Sequence, residues 1–276
     1  MYLKQLSIYK TGILFIFLTI IAIGIDYEVG SIRYAGLNQH EYSILLNSLT
    51  LLLIYIIPGL LVFNWVRKRL NVAQSYLWIS FFAGAFFTGW LASIFNDLAA
   101  QGLKALISNK TFVEQWEAAL TGPIIEEILK IICVFVLIYL FNVSRIQVVF
   151  IIGIMVGFGF QVIEDMSYVV LTASTNIQEI IPDTFNRLSG ALASHWAYTG
   201  IIAVGSFSLI SKRPIVTKKV AWTWTISPIL LHFIWNSPLN DLQIANDIAP
   251  VSALLTACTC LLIIQVFLIL QASVND

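Results

Sequence analysis

Runs of about twenty apolar residues recur along this chain, and they constrain its fold more than any other feature. A hydrocarbon layer about 30 Å thick takes roughly 20 residues of helix, a form that satisfies every backbone polar group within its own segment. Eight stretches meet that length: 9–26, 43–66, 76–95, 119–141, 147–170, 188–210, 219–236 and 247–271. Composition agrees, at 59% hydrophobic and 11% charged residues, against about 45–50% and about 25% in soluble domains. So few charges could not cover a water-facing surface. The expected fold is therefore all-α, a polytopic membrane helix bundle of eight transmembrane helices. No repeat, low-complexity tract or linker divides residues 1–276, which read as a single integral membrane domain.

The polar connections give direction. Alternate loops carry Lys4 and Lys10, then Arg67, Lys68 and Arg69, then Arg145, then Lys212, Arg213, Lys218 and Lys219. The opposite side has Arg33, Lys104, Lys110 and Arg187, with most of the loop carboxylates. Positive charge stays on the cytoplasmic side, so both termini are expected there, in the cell membrane, with an even number of crossings. The basic start, apolar run and Ala22-Ile23-Gly24 superficially suit signal cleavage; a retained first span is the expectation, since later spans anchor the chain anyway. The longest polar segment, 96–118, mixes charged and apolar residues and reads as an interfacial helix. A formal net charge of zero argues against nucleic acid as a partner. Cys133, Cys258 and Cys260 lie in apolar stretches without metal-ligand or disulfide spacing and read as packing residues.

Ionisable groups inside spans cost several kcal/mol and point to function. The fourth span holds Glu126, Glu127 and Lys130; the fifth holds Glu164 and Asp165; the sixth has His195 near its start; the seventh ends in His232 and Asn236. With the spans oriented as above, these groups share one depth, in the outer half of the membrane, and are expected to meet in one cavity. Spacing supports this. Lys130 can neutralise a carboxylate three or four residues before it, and His232 and Asn236 project together. Gly153, Gly157 and Gly159 give the fifth span a small-residue face for close helix approach. Glutamates and histidines in a wet intramembrane pocket can act as general bases on water or ligate zinc, and Asn236 can donate to an oxyanion. The chain has no Gly-x-Ser-x-Gly elbow and no His-Glu-x-x-His signature.

Glu126-Glu127-x-x-Lys130, then Gly157-Phe158-Gly159-Phe160-x-x-x-Glu164, then Arg187 leading to His195, then His232-x-x-x-Asn236, together resemble the PrsW family of intramembrane proteases. That family is related to the type II CAAX prenyl endopeptidases, and Glu164 and Lys130 match its PrsW branch. The resemblance covers about 119–236. One departure is Asp165, where the family often has Asn.

The resemblance implies cleavage of single-span or membrane-anchored protein substrates, such as an anti-sigma factor, on the extracytoplasmic side. It also implies that Glu126 is the general base. Glu127 is expected to hold Lys130, and Asp165, Tyr168 and Arg187 to be structural. Glu164, His195 and His232 form a possible zinc set with an open position for water, although the same three could assist Glu126 without metal. The competing readings are an ion-coupled transporter, whose inverted repeats are not evident here, and a non-catalytic membrane scaffold or immunity protein. Besides the substrate, lipid is the expected partner. His40 falls in an expected loop and has no assigned role. Trp65, Trp78, Trp90, Trp222 and Trp224 read as interface belts and lipid-facing bulk.

Overall fold

A computed structural model describes residues 7–244 and 249–274. Among them the chain is helical, with no strand. In order these are α1 (Ile8–Arg33), α2 (Gln39–Leu51), α3 (Leu53–Arg69), α4 (Gln74–Ala83), a π turn (Gly84–Thr88) and α5 (Gly89–Leu106). There follow α6 (Lys110–Leu140), α7 (Ile146–Thr175), α8 (Ile180–Gly190), α9 (His195–Ile210), α10 (Lys218–Trp235) and α11 (Pro250–Ala272).

Five helical runs are apolar and long enough to cross a membrane: Ile8–Arg33, Gln39–Arg69, Gln74–Leu106, Ile146–Thr175 and Pro250–Ala272. The protein is a multi-pass membrane protein. The other three expected crossings, 119–141, 188–210 and 219–236, fall on α6, α9 and α10. Those helices carry Glu126, Glu127, Lys130, His195 and His232.

Two expectations are corrected. Segment 96–118 is not a separate interfacial helix. Its first part completes α5 and its last part opens α6, where the Asn109 side chain accepts from the Phe112 amide and caps the new helix. Lys104 and Glu117 then pair across the two helices at 2.8 Å. The 188–210 run is not one helix either. α8 ends at Gly190, a 3₁₀ turn covers Ala191–Ala193, and Ser194 leaves helical geometry at φ −127° and ψ −142° before α9 starts. Its small residues are compatible with helix or turn, so hydropathy alone hides the break.

α7 is the axis of the bundle. Every residue from Ile146 to Ile163 is buried, a pattern expected of a span wrapped by protein on all sides. Its glycines permit that wrapping, on two faces. A Cβ at Gly157 would lie 2.3 Å from the His195 carbonyl oxygen on α9, and one at Gly159 would lie 2.0 Å from the Phe81 carbonyl oxygen on α4. Phe158 fills the space between these contacts, its ring 5.0 Å from Phe63 and 6.1 Å from Tyr55 on α3. This packing brings α6, α7, α9 and α10 together around one buried polar cluster.

Candidate active site and metal centre

α6 runs unbroken through Pro123, so Glu126, Glu127 and Lys130 project from the middle of a 31-residue helix. All three are buried, and Lys130 is 0% exposed. Its ammonium lies 2.7 Å from Glu127 Oε1 and 3.7 Å from Glu126 Oε2, and it sits 4.2 Å from the centre of the Phe160 ring. A buried lysine without such partners would be costly. Asn96 on α5 donates to Glu126 Oε1 at 3.1 Å, and Thr199 on α9 donates to Glu127 Oε2 at 3.3 Å.

The two imidazoles are held alike. His195 Nε2 is 2.9 Å from Glu164 Oε2, while its Nδ1 accepts from Lys130 Nζ at 2.9 Å. His232 Nδ1 is 3.2 Å from Glu127 Oε1, leaving Nε2 toward Asn236 Nδ2 at 3.4 Å. A carboxylate on one ring nitrogen fixes the proton there and keeps the other nitrogen basic, as around metal-binding histidines. The remaining nitrogens, His195 Nδ1 and His232 Nε2, each lie 3.8 Å from Glu126 Oε2. Tyr198 stacks on His232 at 5.4 Å, and Phe160 meets His195 edge-on at 5.0 Å. These rings limit imidazole rotation.

Glu126, Glu127, Glu164, His195, His232 and Asn236 therefore come together, as the shared-depth reading expects. Asp165 turns away. It accepts from the Tyr55 hydroxyl at 2.8 Å and lies 3.9 Å from Arg187, whose guanidinium sits over the Tyr168 ring at 3.5 Å. Together these contacts tie α3, α7 and α8. His40 is exposed at the start of α2, remote in the chain from every cluster residue. The sequence reading missed Asn96 and Thr199. Thr199 follows His195 by four residues and so shares its helix face, which is the available signal; Asn96 belongs to the 96–118 segment expected to be interfacial.

A cavity of about 550 Å³ opens onto the cluster, lined by Glu126, Glu164, His195, Tyr198, His232 and Asn236 among others. One donor atom each from Glu126, His195 and His232 can be chosen so that all lie within 4.8 Å of one another. Three observations fit a divalent cation at that point. Glu126 Oε2 is buried without a hydrogen-bond partner. Two histidines and a carboxylate are a common catalytic zinc set. Glu126 and Glu127 also share a single lysine, and Glu164 lies on His195, so carboxylates outnumber the one lysine and leave negative charge for a cation to balance. A metal at His195 Nδ1 competes there with the Lys130 ammonium. Glu164, expected among the ligands, lies with Oε2 2.9 Å from His195 Nε2.

Residues 73–270 match the model of the PrsW family of intramembrane metalloproteases. The chain belongs to that family. The match extends beyond the motif-bearing 119–236 to take in α4, α5 and most of α11. No curated protein and no solved structure matches the chain. As a PrsW family member the protein is an intramembrane protease acting on protein substrates in the membrane, which sets aside the transporter and scaffold readings.

Proposed function

We propose that this PrsW family protease cuts membrane-anchored or single-span proteins, of the anti-sigma-factor kind, close to the extracytoplasmic face of the cell membrane. The observation that carries this reading is the gathering of Glu126, His195 and His232 within 4.8 Å on the wall of a cavity of about 550 Å³. That volume lies within the usual range for ligand sites, about 300–1,000 Å³. The side of cleavage follows from loop charge: eight crossings of one integral membrane unit leave both termini with the basic loops in the cytoplasm. On that count α6, α9 and α10 also cross, their polar side chains shielded by neighbouring helices.

Glu126 Oε2, His195 Nδ1 and His232 Nε2 would hold zinc, which when bound supplies Lewis acidity toward a carbonyl and toward water. Proton acceptance then falls to Glu164. It lines the same cavity, and its Oε1 makes no hydrogen bond among the described residues, while Oε2 holds His195. This reverses the division of labour that the family resemblance implies for the two glutamates. Asn236 donates to the oxygen that gains charge as the peptide carbonyl is attacked. Glu127 is a positioning residue, holding His232 in one tautomer and Lys130 in place.

Metal analysis of the purified full chain, paired with mass-spectrometric profiling of its cleavage of a mixed peptide library, tests the assignment. Stoichiometric zinc is expected, with cleavage stopped by chelator and restored by zinc. Glu126→Ala is expected to lose both metal and cleavage, whereas Glu164→Gln keeps the metal and loses cleavage. Proteolysis undiminished in Glu126→Ala would defeat the proposal.

A further inference from the structure

We propose that a second cavity, between α1, α5 and α7, seats a lysine or arginine side chain of the substrate beside the bond to be cut. The inference rests on the protease reading above and extends it to a specificity site. This cavity has a volume of about 500 Å³ and shares Asn96, Asp97, Glu126, Glu164 and Tyr168 with the first. A chain lying across that common wall presents adjacent residues to both spaces.

The charges lining the two spaces differ. The first cavity sets Arg187, His195 and His232 among its carboxylates. The second has Glu28, Asp97, Glu126 and Glu164 and no lysine, arginine or histidine. Glu126 and Glu164 already have Lys130 and His195 beside them. Glu28 and Asp97 form no ion pair among the described residues.

Glu28 is the informative one. It is only 8% exposed, on a mostly apolar helix whose other charged residues are Lys10, Asp26 and Arg33. One carboxylate oxygen accepts from Ser167 on α7 at 3.1 Å. The other has no hydrogen bond among the described residues. A carboxylate buried among helices without a countercharge is unfavourable, and an entering ammonium or guanidinium supplies that countercharge through a charge-assisted hydrogen bond. The apolar stem of such a side chain suits the remainder of the lining, which includes Ala92, Ile163 and Leu171.

Two short dye-labelled apolar peptides, identical except for a central lysine or norleucine, decide the matter by fluorescence polarisation against the full chain in detergent. The lysine peptide is expected to bind about tenfold more tightly than its partner. Glu28→Gln is expected to erase that difference. Asp97→Asn, at an exposed position where folding is not at stake, is expected to shrink it by about threefold. Equal binding of both peptides by the unaltered chain, or preference unchanged in both variants, overturns the proposal. Cleavage is scored separately. Selective binding without cutting counts against the hydrolytic assignment alone, and cutting without lysine preference counts against this site alone.

Discussion

At the scale of single residues, the centre is organised by carboxylates that act on imidazoles. Glu164 holds one nitrogen of His195 and Glu127 holds one of His232, so both basic nitrogens turn toward Glu126. Asn236 has no part in that scaffold beyond a 3.4 Å contact to His232 Nε2, so the role proposed for it can be tested apart from the scaffold. Replacing it with alanine is expected to lower kcat about 100-fold with little change in KM, as removal of one oxyanion donor does elsewhere. Steady-state kinetics with metal content measured in parallel check this; loss of metal in that variant would show that Asn236 supports the centre instead. Glu126, Glu127, Glu164, His195 and His232 were legible because an ionisable group inside an apolar run stands out, and Asn236 because it follows His232 by four residues. Asn96 and Thr199 were not, since a neutral polar side chain on a helix carries no such mark until its partner is seen.

At the scale of elements, the informative feature is where α9 starts. The break at Ser194 puts the first turn of α9 at the cluster, so the positive end of its dipole lies beside the carboxylates. Gly157 of α7 sets that position, because only a residue without Cβ lets the His195 carbonyl approach so closely. Gly157→Ala is expected to destabilise the protein by about 1–3 kcal/mol and to cut activity further by displacing His195. Thermal unfolding in detergent and a cleavage assay read the two effects. Gly102→Ala serves as the control, since a Cβ there meets nothing within 4 Å. The small-residue face of this helix was readable from spacing, but its division between two partners was not. Gly157 points to α9 and Gly159 to α4, a distinction that depends on which helices pack there.

At the scale of the molecule, orientation is the testable property. After replacement of Cys133, Cys258 and Cys260, a single cysteine at Lys212 is expected to react with a membrane-impermeant maleimide only from the cytoplasmic side. One at Ser108 is expected to react only from outside. Both positions are exposed, so accessibility depends on the side of the membrane; labelling of both from one side would overturn the eight-crossing arrangement. The membrane class could be read from hydropathy because lipid imposes a minimum length on every span. The count is less direct, since helices that carry the chemistry give up apolar residues to hold it.

The burial of α7 has one further consequence. Its most apolar stretch is buried throughout, whereas those of α1 and α11 are mostly not. When the bilayer thins or thickens, the outer helices meet the acyl chains and can tilt to relieve the mismatch. The axial helix exposes no residue along that stretch on which such a change could act. Lipids of different chain length should therefore alter how a substrate reaches Glu164 while leaving the spacing between Glu164 and His195 as it is.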